Sequence, residues 1–494
     1  MFGSLVLFAV VLWFFYFLLR NRRGKNFPPG PSALPLLGNL LEFSSENPIP
    51  DLSRLARRYG NVYSLFLGPQ KVVVVNGLQA LKEAFVTRAA DFSGRPHGLL
   101  LNDATQRKDW APGLALAGYD AQWRDHRRFG LQVLRNFGLG KKSMEERILQ
   151  ETQQVVRLLE ESAGSEVNPQ LLFHKLASNI VSRVVYGPKY DHNDPFMKFS
   201  IRAVRENAKI LNGAWSMIYD TIPAVRNLPL PFQKAMKNFK ELNEKTAQVI
   251  QEHKSSRLPG EQRDVMDCYL EEMDKREDGL SFSEDQLCSF AQDLHLAGTD
   301  TTSNTLLTGV LYMMAHPHIQ ERCQQEIDFA LEGKDKVAFG DKQKMPYVQA
   351  VIHEVQRVAN IIPLSIFHCT TKDTQLMGFS LPKGTIVAPN MASVLREEGQ
   401  WKFPHDFNPE NFLDDQGEFV KPEAFVPFSL GPRACLGEGL ARMELFLVFV
   451  TLLRRFRFVW PAGAGEPDLS PVFGFAMSPQ PYKLEVRCRE TADH

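Results

Sequence analysis

The sequence lacks the cysteine patterns of zinc sites and disulfide scaffolds. Six cysteines are scattered through 494 residues, and none has a partner at zinc-type or redox-type spacing. They are Cys268, Cys288, Cys323, Cys369, Cys435 and Cys488. A chain of this length can bury a large core without disulfides. We therefore expect a reducing environment that faces the cytosol.

An excess of charge of one sign is also absent, because 57 Lys and Arg residues balance 57 Asp and Glu residues. No overall field therefore attracts nucleic acid or acidic partners. No Gly-x-Gly-x-x-Gly motif follows a predicted strand, and the length leaves no room for a flavin domain. If the chain carries out redox chemistry, its electrons must come from a separate protein.

Strand patterns are scarce. Before residue 360 only residues 63–76 are strongly β-branched, and they predict two short strands joined near Gly68. Most of the remaining chain has helical spacing. The predicted fold class is therefore mainly α, with a smaller β-rich region.

A long apolar run is present at the N-terminus, from Phe2 to Leu19. As a helix it spans about 27 Å, close to the hydrocarbon thickness of the endoplasmic reticulum membrane. Basic residues follow it, which predicts a cytosolic domain behind a luminal N-terminus. A cleaved signal peptide is the alternative, but its basic start and cleavage site are missing. We predict an anchor helix over residues 1–20, a basic and proline-rich linker over 21–31, and one domain over 32–494.

Cys435 lies among two glycines and an arginine in the segment Phe428-Ser-Leu-Gly431-Pro-Arg433-Ala-Cys435-Leu-Gly437. The amphipathic run that follows predicts a helix. Amide groups at its start, the helix dipole and Arg433 favour a thiolate, and the glycines allow close approach. Such a sulfur suits a soft metal or haem iron. The alternative is a buried, inert cysteine beside a turn.

A long helix is predicted to begin at Ser283, which forms a capping-box pattern with Gln286. No proline occurs before Pro317, so the helix runs for about 32 residues, or roughly 48 Å. Its centre contains Gly298 and three threonines, which are poor helix formers. A threonine hydroxyl can bond the carbonyl one turn back and open the helix. The centre is therefore either a functional groove or a packing glycine with locally satisfied threonines.

Two of these segments carry a family resemblance. The pattern Phe-x-x-Gly-x-Arg-x-Cys-x-Gly resembles the haem-binding signature of the cytochrome P450 superfamily, the haem-thiolate monooxygenases. Ala297-Gly-Thr-Asp300-Thr301-Thr is similar to that family's Ala-Gly-x-Asp-Thr-Thr. The resemblance covers residues 27–488 and is closest to the D-like branch of family two, a vertebrate microsomal class. It implies the cytochrome P450 fold, with a large helical domain around haem and a smaller β-rich region.

By this resemblance Cys435 is the thiolate ligand of the iron of haem b, and Phe428 packs near the sulfur. Arg433 pairs with a haem propionate, and Trp123, Arg127 and His368 contact the propionates as well. By spacing alone, Trp123 and Arg127 are better read as one face of an exposed helix. A lone histidine in an apolar strand is likewise more often structural.

The resemblance also implies that Asp300 and Thr301 deliver protons during oxygen activation. Asp293 shares a helix face with Ala297 and Thr301, so it either anchors substrate amines or caps backbone N–H groups of a nearby loop. Phe475 lies in a turn that places aromatics in the substrate pocket. The implied pocket walls are residues 95–118, 200–225, 290–302, 360–367 and 470–478.

Glu354 and Arg357 are three residues apart on a predicted helix and form a routine surface pair by spacing alone. In the family they form a buried structural network with a third residue, commonly arginine or histidine. Asn411 takes that place here. It can form hydrogen bonds but brings no charge.

The implied activity is insertion of one oxygen atom from O2 into small lipophilic substrates such as drugs, xenobiotics, fatty acids or steroids. By the resemblance, electrons come from NADPH through NADPH–cytochrome P450 reductase at the endoplasmic reticulum membrane, with cytochrome b5 as a candidate second donor. Two alternatives are a haem-thiolate isomerase or dehydratase and a haem-binding protein without turnover. Asp300 and Thr301 speak against both.

Overall fold

The structure is a computed structural model that describes residues 23–489 apart from 36, 45, 69, 106–112, 138–141, 188–193, 212–213, 259 and 277–281. The predicted anchor over residues 1–20 lies outside the described residues. Among the described helices, none is both long enough and apolar enough to span a bilayer.

Helices form most of the described chain, as the scarcity of strand patterns predicts. In chain order they are α1 (Ile49–Tyr59), α2 (Leu78–Lys82), α3 (Ala89–Phe92), α4 (Leu100–Thr105), α5 (Ala121–Phe137), α6 (Lys142–Glu161), α7 (Pro169–Val185), α8 (Pro195–Leu211), α9 (Ala214–Thr221), α10 (Pro231–Ser256), α11 (Val265–Lys275), α12 (Glu284–Ala315), α13 (Pro317–Ala330), α14 (Pro346–Ala359), α15 (Met391–Leu395) and α16 (Glu438–Arg455).

Strands are short and form small sheets. They are β1 (Val62–Leu67), β2 (Gln70–Val75), β3 (Glu166–Val167), β4 (His368–Cys369), β5 (Thr374–Leu376), β6 (Phe379–Leu381), β7 (Ile386–Pro389), β8 (Phe456–Val459), β9 (Pro471–Val472), β10 (Ser478–Pro479) and β11 (Leu484–Cys488). The largest described sheet has the order β1-β2-β7-β4. The predicted hairpin is confirmed as β1 and β2, which pair antiparallel, and β2 pairs parallel with β7.

Helix α12 is the centre of the helical region. It has the predicted 32 residues, and the Ser283 hydroxyl caps it by accepting the N–H of Gln286 at 3.3 Å. It ends just before Pro317, which cannot continue a helix. Helices α7, α10, α14 and α16 all pack against it. Buried residues therefore occur all around its C-terminal half, and this placement holds its central threonines inside the domain.

The proline-rich segment packs along β1. The Ser64 N–H donates to the Pro29 carbonyl at 2.7 Å, and its hydroxyl donates to Pro28 at 2.7 Å. A Cβ at Gly30 would collide with the Ser64 carbonyl. Arg23 donates to the Ser64 hydroxyl at 2.8 Å. From residue 23 onward the chain is therefore fixed to the domain.

Candidate functional site

Cys435 sits between a 3-10 turn, Gly431–Arg433, and the start of α16, as the sequence predicts. Its backbone N–H donates to the Phe428 carbonyl at 2.8 Å, which closes the loop. Gly431 has a φ of 71°, and a Cβ there would collide with the Phe85 carbonyl, so only glycine fits. A Cβ at Gly437 would meet no atom within 4 Å, so space is open beside it.

The side chain of Cys435 is accessible, although protein atoms surround its sulfur. Its side chain is exposed, yet burial raises the pKa of the thiol. Backbone N–H groups of Gly437 and Glu438 bond the sulfur and oppose the shift, as does Arg127. The thiolate expected at Cys435 stays a prediction, and Arg127 is the arginine whose charge lowers the pKa of this thiol. Loss of solvent raises the pKa of the thiol more than the amides lower it. A cation bound at the sulfur would lower this pKa.

Three arginines near Cys435 have no acidic partner in the part of the chain that the structure describes. Arg95, Arg127 and Arg433 form no ion pair with any carboxylate that the structure describes. Arg433 donates to the carbonyls of three backbone positions, Ser93, Leu114 and Ala117, at 2.7 to 3.2 Å. Burial and the charge of Arg127 lower the pKa of Arg433 to about 10. A group carrying carboxylates would supply the missing negative charge.

Arg95 joins this cluster from a loop before α4 and was not predicted. It is 5% exposed and donates at 2.8 Å to the carbonyls of Ala115, Ile366 and Phe367. The charge of Arg433 adds to burial in lowering the pKa of Arg95. Nothing in the spacing around Arg95 marks it, because its neighbours come from distant segments.

Trp123 and Arg127 lie on α5 and reach the Cys435 loop. The guanidinium of Arg433 stacks 4.1 Å from the Trp123 ring, and Trp123 Nε1 donates to Leu114 at 3.0 Å. Arg127 donates to the Ala434 carbonyl at 2.5 Å. Trp123 is 4% exposed, so the alternative of an exposed helix face does not describe this residue.

His368 lies near the arginines but points its Nδ1 at the Phe92 carbonyl, 2.7 Å away. Burial, with the charges of Arg95 and Arg433, lowers the pKa of His368, so the ring is neutral. The neutral ring carries its proton on Nδ1, which donates to the Phe92 carbonyl. Nε2 therefore has no proton to donate to a carboxylate. Arg95, not His368, presents the N–H groups on this side of the site.

The centre of α12 has an accessible position at Ala297. The Ala297 side chain is exposed, although it lies in the middle of a packed helix. The Thr301 hydroxyl donates to the Ala297 carbonyl at 2.6 Å, the back-bond that the sequence suggests. The neighbouring Asp300 carboxylate lies 3.3 Å from Nε2 of His174 on α7, a partner that the sequence did not indicate.

Asp293, one turn before Ala297, holds the loop that contains Ala115. Its Oδ2 accepts the Ala115 N–H at 2.8 Å, and the Leu114 N–H also bonds it. A Cβ at Gly113 would collide with this carboxylate. Burial raises the pKa of Asp293 to about 6, against these bonds. The geometry favours loop capping over amine binding.

Glu354, Arg357 and Asn411 meet in a fully buried network. Arg357 donates twice to the Glu354 carboxylate, both at 2.7 Å, and to several backbone carbonyls. Asn411 Nδ2 donates to Glu354 at 3.2 Å, and its Oδ1 accepts the Phe403 N–H at 2.9 Å. Asn411 therefore takes the third place with an amide instead of a charge.

Two aromatic candidates have other neighbours. The Phe428 ring centre is 5.2 Å from the guanidinium carbon of Arg442. Phe475 is 41% exposed and lines a separate cavity.

Together these contacts define a class of site. A cysteine sulfur lies under backbone N–H groups, open space lies beside it, and the nearby arginines have no counter-ion among the described residues. A planar metal cofactor with carboxylates fits this donor set. The comparisons agree. The family model described as Cytochrome P450 matches residues 28–486.

Several curated relatives are similar over nearly the whole chain. Dog cytochrome P450 2D15 is 41% identical over 473 residues, 95% of this chain and 94% of the relative. Human cytochrome P450 2D6 is 40% identical over 97% of this chain and 98% of the relative. Mouse cytochrome P450 2J5 is 39% identical over 97% and 95%.

The chain therefore belongs to the cytochrome P450 family. It is an oxidoreductase of the monooxygenase type, and its fold is the mainly α fold of that family, as the sequence predicts.

Proposed function

We propose that this chain inserts one oxygen atom from O2 into small lipophilic substrates, with electrons from NADPH delivered by NADPH–cytochrome P450 reductase. Drugs, xenobiotics, fatty acids and steroids are the substrate classes. The observation that carries the proposal is that Cys435 is accompanied by three arginines with no ion-pair partner among the described residues. Haem b, when bound, supplies the oxygen activation that no side chain of the protein can perform.

Each residue near Cys435 has a role that follows from its contacts. The Cys435 sulfur ligates the iron, and the N–H groups of Gly437 and Glu438 stabilise its charge. Arg95, Arg127 and Arg433 hold the cofactor carboxylates, and Trp123 stacks on Arg433 to keep its guanidinium in place.

On the other side of the site, α12 supplies protons and substrate space. The Thr301 hydroxyl, already turned to the Ala297 carbonyl, holds a proton beside the open interior. Asp300 is the acid that replenishes it, and His174 fixes the position of that acid. The small side chain of Ala297 leaves room for substrate.

The N-terminal anchor places this activity at the endoplasmic reticulum membrane with residues 32–494 in the cytosol. The support is the apolar run before Arg20 and the basic residues after it. An external reductase is required because the chain has no dinucleotide motif of its own, and cytochrome b5 is a second electron donor of suitable kind.

Stoichiometry tests the proposal against both alternatives. Purified full-length protein is reconstituted with reductase in vesicles, and NADPH, O2 and product are counted for a panel of lipophilic substrates. Substrate-dependent consumption of NADPH and O2 with oxygenated product is expected. An isomerase or dehydratase would give product without NADPH, and a haem carrier would give no product with any substrate. Either result would overturn the proposal.

A further inference from the structure

Arg442 contacts the segment that holds Cys435 at both of its ends. Its guanidinium carbon lies 5.2 Å from the centre of the Phe428 ring, and the Phe428 carbonyl accepts the Cys435 N–H. Beyond the cysteine, Arg442 Nε and Nη2 donate to Oε1 of Glu438 at 2.9 and 2.8 Å. Glu438 is the first residue of α16. One cation therefore connects the chain before the cysteine with the helix after it.

His353 on α14 holds the remaining nitrogen of this guanidinium. Arg442 Nη1 lies 2.7 Å from Nε2 of His353. A guanidinium can only donate, so Nε2 is the acceptor of this bond. Nδ1 of the same ring lies 2.7 Å from the Gln349 carbonyl, which can only accept, so Nδ1 carries the proton. The two partners therefore require a neutral imidazole whose lone pair faces Arg442.

The surroundings of His353 keep the ring neutral. It is 8% exposed. Its ring packs against three aromatic rings whose centres lie 4.5 to 5.6 Å away: Phe412, Phe419 and Phe425. Burial and the charge of Arg442 lower the pKa of His353 to about 3, and the charges of Lys421 and Lys342 add to the shift. The imidazole therefore accepts the Arg442 N–H throughout the range of pH near neutrality.

Glu438 acts on the Cys435 sulfur in two opposite ways. Its backbone N–H bonds the sulfur and favours a thiolate, whereas the negative charge of its carboxylate disfavours one. The carboxylate is favourable for α16 itself, because the helix dipole attracts negative charge to the first turn. Among the described residues, Arg442 is the only cation paired with Glu438. Arg442 therefore offsets, close to the sulfur, the charge that the first turn of the helix places there.

We propose that Arg442 and His353 are positioning residues for the thiolate ligand, and that they raise the reduction potential of the bound haem by neutralising Glu438. The proposal rests on the proposed function, because it requires haem at Cys435. A negative charge beside the ligand favours the ferric state over the ferrous state, which carries one electron more. The pair thus determines how readily the enzyme accepts its first electron.

The test is an equilibrium redox titration of the full-length holoenzyme with dye mediators and without reductase, so that docking of an electron donor has no influence. In Arg442→Gln we expect the equilibrium constant for reduction to fall about threefold, because the partly exposed Glu438 charge then acts alone. Glu438→Gln should raise it by a similar factor, because the Arg442 charge is left unbalanced. The double variant should return close to the wild type.

Conservative variants separate the charge from the anchor. Arg442→Lys keeps the charge and should retain more of the wild-type potential than Arg442→Gln. His353→Gln keeps an acceptor and should stay close to the wild type, whereas His353→Leu should lower the potential. Arg276→Gln is the matched control, since Arg276 forms a pair of the same spacing and similar exposure with Glu272 at the end of α11. It should leave the potential unchanged.

Two results would overturn the proposal. If Arg442→Gln and Glu438→Gln shifted the potential in the same direction, the cause would be altered structure and not the lost charge. If neither shifted it more than Arg276→Gln, the pair would not act on the ligand.

The ferrous–CO spectrum of each preparation reports thiolate ligation separately. Absence of the red-shifted band in the wild type would refute the proposed function, and this inference with it. Its presence together with unchanged potentials in the Arg442 and Glu438 variants would refute this inference alone.

Discussion

The carboxylate of Asp300 lies 3.3 Å from Nε2 of His174, which joins the centre of α12 to α7. Nδ1 of the same imidazole lies 2.8 Å from the Gln170 carbonyl, so the ring is held at both nitrogens. Both side chains are largely buried, at 25% and 13% exposure. The acid expected to supply protons is therefore positioned from a neighbouring helix.

Loss of this proton supply should uncouple oxygen use from oxidation. In Thr301→Ala and Asp300→Asn we expect product per NADPH to fall at least about tenfold while hydrogen peroxide rises, because protons are delivered poorly. The measurement counts NADPH, peroxide and product together, with haem content fixed. Thr308→Val, two turns along α12, should stay coupled.

His174 provides a further check on the same prediction. His174→Gln keeps a donor for Asp300 and should retain more coupling than His174→Ala. If Thr301→Ala, Asp300→Asn, His174→Gln and His174→Ala all gave as much product per NADPH as the wild type, a proton-delivery role for Asp300 and Thr301 would be refuted.

Replacement of Cys435 should remove thiolate ligation. The ferrous–CO complex of the wild type is expected to show the red-shifted Soret band of a sulfur-ligated haem, because the thiolate pushes electron density onto the iron. Cys435→Ser should lose that band. Cys488→Ser is the control, since Cys488 is also exposed but lies in β11. Survival of the band in Cys435→Ser would contradict the assignment.

The Glu354 network should govern stability more than activity. Glu354→Gln leaves the buried Arg357 charge unpaired and should lower the free energy of unfolding by about 3–5 kcal/mol. Asn411→Ala removes an amide with two bonding partners and should cost about 1–3 kcal/mol.

Urea unfolding of the holoenzyme measures both losses. Glu398→Gln, in an exposed pair with His405, should change the free energy little. If Asn411→Ala matched this control, the amide would contribute nothing to the network.

Stability should fall in acid because of His295. This ring is buried between the hydroxyls of Ser178 and Ser200, each 3.2 Å away, and burial lowers its pKa from 6.5 to about 4. The unfolded chain then binds more protons between these values, so the free energy of unfolding falls as pH drops from about 6.5 to 4, by roughly 3 kcal/mol.

His295→Gln should flatten this pH dependence, while the exposed His405→Gln should not. The measurement is urea unfolding at half-unit pH steps, compared between variants. Parallel curves for wild type and His295→Gln would exclude the histidine as the cause.

The N-terminal segment should determine membrane attachment. Residues 1–19 are expected to hold the chain in the endoplasmic reticulum membrane, with the domain in the cytosol. Protease added to intact microsomes should then digest the domain, and deletion of the segment should weaken sedimentation with the membrane. Complete protection of the domain would place it in the lumen and refute this topology.

The sequence alone determined those features whose causes are local. Capping by Ser283 and the distance to Pro317 define α12, because helix signals act within a few residues. The β-branched run Val72–Val75 defines β2 for the same reason. The spacing around Cys435 locates the cysteine before a helix and carries the family resemblance.

Only the tertiary structure decided how these parts are charged and paired. Burial, which depends on distant segments, raises the pKa of Cys435 against its local amides. Arg95 reaches the same cluster as Arg433, although 338 positions separate them in sequence. Asp293 accepts backbone N–H groups of a loop, whereas Asp220 lines an apolar cavity. Desolvation and charge compensation act between neighbours in space, so no spacing in the sequence records them.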